Sequence, residues 1–289
     1  MNSFGVCIVA LGYPIYGNYA FNLALSLKVH DPEVKIALLY SSEAISELNE
    51  TEKKFFDHFI EIPEEAYTVD SKKEYMKAKL LVNLYTPFDY TIYLDSDNIW
   101  LDKKISWLFG QLFHKDFVIG FNAYWDVDKK RSTKPGYTYW CRNEIECVNY
   151  HKIRNRMPQT VSGFYYFFKS DKSDEIFEKA REVFSDKNAP YNKFAGGMPD
   201  EYAFNVALGL LDYDQEEFNP IYFDKLHGPI EGESIYRNFW GVAIGGNRVS
   251  GRVQDIYNRL VKKYCVMAGI PMRHPFIEKY KLIPERLKS

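Results

Sequence analysis

Short apolar runs alternate with amphipathic stretches along the first hundred residues, and this alternation predicts strands and helices in turn. The first run, FGVCIVAL at 4–11, is continuously apolar and β-branched, as in a strand covered on both faces. Gly12 and Pro14 end it, and YAFNLALSLKVH at 19–30 places alanines and leucines on one helical stripe. VKIALLY at 34–40 reads as a second buried strand. This β-α-β order predicts a parallel sheet with a right-handed crossover.

The same alternation continues to about residue 210. The predicted segments are an acidic helix at 43–58, a strand at 59–63, a helix at 73–84, strands at 89–94, 117–124 and 162–168, a helix at 174–184, and a helix that begins at Pro199 as its first residue. Residues 125–158 are polar, aromatic and basic, and they are predicted to form a long loop of the kind that carries function. With no repeat and no clear linker, the simplest organisation is one domain at 1–245 with a basic extension at 246–289 packed on it.

Composition narrows the class of protein. Of 289 residues, 46% are hydrophobic and 17% aromatic, which favours a large core and ring surfaces for stacking. A net charge of −2 argues against a wholly basic nucleic-acid-binding protein. The charge is uneven, because the tail from Arg252 to Lys288 is basic and could face an anionic partner, although a solvated helical face explains it as well.

The four cysteines show no zinc-binding spacing, and Cys7, within the first apolar run, is predicted to be a buried thiol. No apolar run reaches the length of a membrane span, and no signal peptide is recognised. We therefore expect a cytoplasmic protein without a membrane span.

Two carboxylates, Asp95 and Asp97, directly follow the predicted strand at 89–94 in the stretch TIYLDSDNIWL. Taken alone, they could be ordinary turn residues in water. However, ligands of open α/β sheets bind beyond the carboxyl ends of the strands, and carboxylate oxygens suit Mg²⁺ or Mn²⁺. The position therefore favours a divalent-cation site.

Four segments in order resemble those of nucleotide-sugar-dependent glycosyltransferases with the GT-A fold, closest in pattern to the glycogenin and galactinol-synthase-like family. They are KAKLLVNLYTPFDYTIYLDSDNIWL from Lys77, SGFYYFF from Ser162, DEYAFN from Asp200, and LHGP from Leu226. The resemblance covers about residues 4–245. It implies an α/β fold with a Rossmann-like, mostly parallel sheet flanked by helices and followed by a C-terminal helical extension.

The resemblance also implies roles for individual residues. A Mn²⁺ or Mg²⁺ ion would be held by Asp95, Asp97 and His227, and would neutralise the charge that builds up on a departing nucleoside diphosphate. Lys79 would bind the donor phosphates or sugar, and Ser96 and Gly228 would lie beside the donor. A solvated Lys79 and a structural His227 are the plainer readings of those two residues.

The loop after the first strand is not a dinucleotide fingerprint, but in the resembled family it grips the nucleotide base. Tyr13 or Tyr16 could stack there, or either could belong to the core. At the predicted helix start, Asp200 and Glu201 could orient the donor sugar in a retaining enzyme or act as the base in an inverting one. Glu201 stands where the family has glutamine, and this departure leaves the donor and the stereochemistry open.

Together with the Asp95–Asp97 pair, the resemblance implies a metal-dependent glycosyltransferase that moves a sugar, from a UDP-sugar by preference and with retention, to a glycan, protein or small-molecule hydroxyl. The main alternative is the same chemistry on a hydroxymethylated base of DNA, suggested by the basic loop at 128–134, the aromatic stretch YTYW at 137–140 and the basic tail. Two other classes are an aspartate-based phosphotransferase, which the strand order disfavours, and a non-catalytic nucleotide-sugar-binding protein.

Overall fold

The computed structural model describes residues 3–133, 140–194, 197–216, 218–222, 234–244 and 251–275. The β-strands are β1 (Phe4–Ala10), β2 (Ile36–Tyr40), β3 (His58–Glu61), β4 (Thr68–Val69), β5 (Lys72–Lys73), β6 (Tyr90–Asp95), β7 (Asn98–Trp100), β8 (Phe117–Asp126), β9 (Arg131–Ser132), β10 (Arg156–Phe168), β11 (Ile221–Tyr222) and β12 (Gly241–Ala243). The α-helices are α1 (Pro14–His30), α2 (Glu50–Lys53), α3 (Val82–Tyr85), α4 (Ile105–Leu112), α5 (Glu144–His151), α6 (Asp171–Phe184), α7 (Asp200–Leu210), α8 (Ser234–Asn238) and α9 (Gly251–Ala268). Two 3₁₀ helices span Glu64–Tyr67 and Tyr75–Leu81.

The chain divides into two compact units. Unit 1 comprises the described residues within Met1–Pro63, Tyr85–His114 and Pro220–Ile283, and unit 2 comprises those within Glu64–Leu84 and Lys115–Asn219. Each unit is made of separate stretches of the chain, so this division does not test the sequence-based expectation of one domain at 1–245 with an extension. That expectation stays a prediction.

Unit 1 contains a parallel sheet in which β1 pairs with β2 and β6, and β2 pairs with β3. The fold is α/β with a mostly parallel sheet flanked by helices, and the predicted fold class is confirmed. A smaller sheet pairs β12 with β11 in parallel and with β7 in antiparallel orientation.

Helix α1 forms where the sequence predicts it and begins at Pro14, five residues before the predicted segment at 19–30, because proline suits the first turn of a helix. The stripe of Ala20, Leu23, Ala24 and Leu27 is fully buried, as predicted. Gly17 lies so close to the chain at Ala44 that a Cβ atom would come within 2.0 Å of the Ala44 carbonyl oxygen. The close approach therefore requires glycine here.

The helix α9 supplies the predicted C-terminal helical segment and packs against α1 within unit 1. The rings of Tyr19 and Tyr257 meet edge to face at 6.3 Å, and those of His30 and Tyr264 at 5.1 Å. The Tyr264 hydroxyl donates to the carbonyl oxygen of Trp100 at 3.0 Å, which ties α9 to β7 as well.

Unit 2 contains the long antiparallel pair β8–β10, with β9 added to β8. Its core is aromatic: the Phe177 ring of α6 lies within 5.8 Å of the rings of Phe117, Tyr165, Phe167 and Phe204. A Ser170 capping box starts α6. The inward face predicted for this helix is confirmed, since Ile176, Phe177, Ala180, Val183 and Phe184 are all buried.

Several local predictions are wrong in detail. The acidic stretch at 43–58 forms only the one-turn helix α2, which begins after the side-chain cap of Asn49. The segment 73–84 is mainly a 3₁₀ helix rather than an α-helix. Pro199 is the residue before the first turn of α7, not its first residue, because its extended ψ of 141° places it outside the helix. The segment 125–158 includes β9 and α5, with residues 134–139 outside the described part.

Candidate functional site

The turn Asp95–Ser96–Asp97 joins β6 to β7 in unit 1. Asp95 is the last residue of β6, so it stands at the carboxyl end of a parallel strand, as the sequence predicts. The Tyr93 hydroxyl donates to Asp95 Oδ1 at 2.5 Å, and the backbone N–H of Ile244 donates to the Asp97 carbonyl at 3.1 Å. Ser96 is buried, whereas both aspartates are partly exposed. The turn is thus fixed on both sides while its carboxylates reach solvent.

The donor set of this turn fits a hard divalent cation. Two carboxylates one residue apart offer the oxygen ligands that Mg²⁺ and Mn²⁺ prefer, and these ions keep other positions for substrate phosphates and water. In the described ranges, no group of three or more metal-ligating side chains comes together. The third predicted ligand, His227, lies outside the described residues, as does the predicted donor-binding residue Gly228. The three-ligand set therefore stays a prediction.

The loop after β1 approaches the start of α1 through a left-handed glycine. Gly12 has φ 80° and its N–H donates to the Ser41 hydroxyl at 3.0 Å, which fixes the loop against the end of β2. Tyr13 precedes the first turn of α1 and Tyr16 lies within it. Both rings are partly exposed, so a stacking role for them stays a prediction.

Sequence reasoning missed a buried polar link in unit 1 that involves Asn22. The Asn22 side chain donates to the Tyr257 hydroxyl at 3.1 Å and to the His274 carbonyl at 2.8 Å. Burial raises the pKa of Tyr257; the hydrogen bond from Asn22 opposes this, and the charge of Asp97 adds to it. The only sequence signal was a polar residue within the buried stripe of α1.

In unit 2, the structure brings Lys79 and Asp200 together. The Lys79 ammonium lies 3.6 Å from Asp200 Oδ2, and the two side chains are 13% and 0% exposed. The Tyr165 hydroxyl donates to the Lys79 carbonyl at 2.6 Å, and Arg181 donates to the next carbonyl, that of Leu80, at 2.9 Å. The 3₁₀ helix that carries Lys79 is therefore held firmly against β10 and α6.

Asp200 is the first residue of α7, where the positive end of the helix dipole favours a carboxylate. Glu201 follows it and is partly exposed. Asn205, the last residue of the DEYAFN stretch, accepts hydrogen bonds from the Thr160 N–H and hydroxyl, both at 2.8 Å. This asparagine fixes α7 to β10, and so fixes the position of Asp200.

The segment SGFYYFF contains an irregularity rather than an uninterrupted strand. The pairing of β10 with β8 shifts register between Val161 and Tyr165. Gly120 on β8 faces this bulge, and a Cβ there would come within 2.6 Å of the Val161 carbonyl oxygen. Bulges of this kind re-aim side chains and are frequent beside active sites.

The basic segments behind the DNA alternative are only partly described. Lys129 pairs with Asp126 at 2.6 Å, and Arg259 and Lys262 are exposed on α9. Residues 134–139 and 276–289, which hold most of the aromatic loop and the end of the basic tail, lie outside the described residues. A DNA-binding role for these segments stays a prediction.

No family model matches the sequence, and a comparison with curated proteins finds no match. Solved structures do match. The galactosyltransferase LgtC, in complex with donor and acceptor sugar analogues, has a TM-score of 0.53 at 15% identity, covering 89% of this chain and 95% of LgtC. The bifunctional glycosyltransferase WbbM has a TM-score of 0.52 at 12% identity, covering 94% of this chain and 52% of WbbM.

The glycosyltransferase GlyE of Streptococcus pneumoniae TIGR4 has a TM-score of 0.51 at 15% identity, covering 94% of this chain and 66% of GlyE. The chain thus spans about half of WbbM and nearly the whole of LgtC. These likenesses establish that the chain has the GT-A glycosyltransferase fold. Among the described residues, no helix is both long and apolar enough to cross a membrane.

Proposed function

We propose that this protein is a metal-dependent glycosyltransferase that moves a sugar from a nucleotide-sugar to an acceptor hydroxyl. The observation that carries the proposal is the turn Asp95–Ser96–Asp97 at the carboxyl end of the parallel strand β6. Ligands of open α/β sheets bind at such ends, and the fold is shared with three glycosyltransferases. The Lys79–Asp200 ion pair supports it, because removing two charged groups from water costs free energy that packing alone does not require.

The donor we propose is a UDP-sugar, and the subfamily is the glycogenin and galactinol-synthase-like one. Both proposals rest on the four sequence segments that resemble that family. Tyr13 or Tyr16 would stack on the nucleotide base, and Ser96 would lie beside the ribose. His227 and Gly228 would complete the metal and donor contacts.

In the reaction, the bond between the sugar C1 atom and the diphosphate oxygen breaks, and the bond between C1 and the acceptor oxygen forms. The acceptor hydroxyl loses its proton, and a nucleoside diphosphate leaves with the bonding electrons. A Mn²⁺ or Mg²⁺ ion held by Asp95 and Asp97 would stabilise the negative charge on the leaving group. Lys79 would supply a fixed positive charge to the donor phosphates or sugar.

Retention is the stereochemistry we propose. Asp200 is fully buried beside the Lys79 ammonium, which keeps this carboxylate in one place and suits it to orient the donor sugar. Glu201 is partly exposed and would contact the sugar or the acceptor. A general base for inversion would have to reach the acceptor hydroxyl, which a carboxylate packed in this way does poorly.

The test is release of nucleoside diphosphate from a panel of nucleotide-sugars in Mn²⁺, with and without chelator. Wild type should turn over at least one donor, and chelator should abolish that turnover. Asp97→Asn should lose it too, whereas Asp102→Asn, an exposed carboxylate five residues further on, should keep it. Full turnover by the Asp97 variant in chelator would exclude the metal assignment.

A further inference from the structure

Two aromatic side chains form a partly exposed surface in unit 2 that the proposed donor chemistry does not use. The rings of Trp140 and Phe194 meet edge to face at 5.3 Å. Their segments are joined by the backbone, since the N–H of Asn192 donates to the Trp140 carbonyl at 2.8 Å. Phe194 is 40% exposed, so part of its ring is open to solvent.

The Glu74 carboxylate lies against the backbone of the segment that carries Phe194. Phe194 and Gly197 exchange two backbone hydrogen bonds, of 2.9 and 3.0 Å. A Cβ atom on Gly197 would come within 2.1 Å of Glu74 Oε2, so the Glu74 carboxylate is pressed against this glycine. Glu74 is partly exposed and, within the described residues, its side chain forms no hydrogen bond or ion pair. Burial raises the pKa of Glu74, while the charge of Lys72 opposes the shift.

Two chain segments connect the cluster of Trp140, Phe194 and Glu74 to the Lys79–Asp200 pair. Glu74 immediately precedes the 3₁₀ helix that carries Lys79. Gly197 stands three residues before Asp200, at the approach to α7. Phe194 and Glu74 therefore lie on the two segments that lead into the elements holding the residues proposed to handle the donor sugar, and Trp140 contacts one of these segments through Phe194 and Asn192.

The residue types of the cluster suit a neutral sugar. Aromatic faces pack against the apolar C–H surface of a pyranose ring, and a carboxylate can accept strong hydrogen bonds from two neighbouring hydroxyls. An anionic polymer suits it poorly, because a carboxylate at the contact would repel phosphates.

We propose that Trp140, Phe194 and Glu74 form the acceptor subsite, and that the acceptor is a neutral carbohydrate. This inference rests on the proposed glycosyltransferase function and names the class of its acceptor. The rings hold one face of the acceptor sugar, and Glu74 fixes its hydroxyls so that a single hydroxyl is presented for transfer.

The experiment measures binding of the full chain to an array of neutral and acidic glycans, without donor. Wild type should bind a subset of the neutral glycans. Glu74→Gln, Trp140→Ala and Phe194→Ala should each weaken that binding by roughly tenfold or more, the effect of losing one strong contact. Glu65→Gln, an exposed acid of unit 2, and Phe113→Ala, an exposed aromatic of unit 1, are the matched controls and should bind as wild type does.

Circular dichroism separates lost contacts from lost structure, and Phe194, as the more exposed ring, is the safer substitution. Absence of neutral-glycan binding by the wild type, or unchanged binding by the folded Glu74 and Phe194 variants, would overturn the proposal. Donor hydrolysis without acceptor is measured in parallel. Its absence in wild type would count against the glycosyltransferase function, whereas normal hydrolysis without glycan binding would count against the acceptor subsite alone.

Discussion

The Lys79 ammonium lies 3.6 Å from the Asp200 carboxylate, and Asp200 is fully buried and Lys79 only 13% exposed, although the two residues are 121 positions apart in sequence. Removing one member of such a pair leaves an uncompensated charge, which costs about 3–5 kcal/mol in typical proteins. The pair is therefore costly to alter and is held by well-fixed elements. If the donor sugar binds beside it, the two residues should affect different kinetic constants.

We expect Asp200→Asn to lower kcat by roughly 10²-fold or more with little change in donor KM, because its role is to orient the sugar during the reaction. Lys79→Ala should lower kcat and also raise the donor KM, since a charge on the phosphates acts in both states. Steady-state kinetics on the best donor measures both. Lys77→Ala, on the same 3₁₀ helix, is the control. Wild-type constants in both variants would remove the pair from the mechanism.

A second prediction concerns the hydrogen bond from Tyr93 to Asp95. The Tyr93 ring is buried and its hydroxyl fixes one carboxylate oxygen of the proposed metal site. Partners of metal ligands typically account for about 10–100-fold in metal affinity. Tyr93→Phe should therefore weaken Mn²⁺ binding by roughly that factor, as measured by electron paramagnetic resonance. Tyr90→Phe, at the other end of β6, should bind Mn²⁺ normally; equal affinity in both variants would contradict the assignment.

The aromatic core of unit 2 gives a stability prediction. Phe177 is fully buried among four other aromatic rings, so replacing it with alanine leaves a large cavity. Phe177→Ala should lower the free energy of unfolding by about 3–5 kcal/mol, as measured by urea denaturation. Phe113→Ala, at a position where the ring is 64% exposed, should change it by less than about 0.5 kcal/mol.

Three histidines with lowered pKa values lead to a prediction about how the stability of the fold depends on pH. Burial lowers the pKa of His30, His151 and His274, with smaller opposing effects from nearby acids. The unfolded chain, with histidine pKa near 6.5, therefore takes up protons before the folded chain does. The stability that depends on neutral histidines is fully present above about pH 6.5 and falls as the pH drops below it. NMR titration should place all three pKa values below about 6.5. Any one of them titrating above that value would contradict this account.

The sequence predicts well what depends on local pattern. Regular spacing of hydrophobic residues, which is needed to face a buried core, predicts the buried strand β1, the apolar stripe of α1 and the inward face of α6. The bond from Tyr93 to Asp95 was also within reach, because residues two apart in a strand point to the same face. Likewise Asn143, followed by Glu144 and Glu146, is a helix-start signal and precedes α5 in the structure. The prediction of a loop for this segment did not take that signal into account.

Contacts between distant segments could not be predicted from pattern. The spacing of hydrophobic residues alone did not show that Tyr75–Leu81 would form a 3₁₀ helix, since the geometry of this segment depends on its contacts with β10 and α6. The approach of Glu74 to Gly197 joins residues more than a hundred positions apart. Only the family resemblance placed Lys79 and Asp200 in one functional role, and it did not show that they pair.

The most direct test of the central claim is to measure, in one reaction, the nucleoside diphosphate released and the sugar attached to an acceptor glycan. After subtraction of the diphosphate released by hydrolysis without acceptor, the account predicts equal molar amounts of the two in Mn²⁺, both lost in Asp97→Asn and in chelator, with NMR of the product showing the anomeric configuration of the donor. Saturable binding of a nucleotide-sugar with neither product formed, on any donor and acceptor that bind, would contradict the claim and identify a non-catalytic binding protein instead.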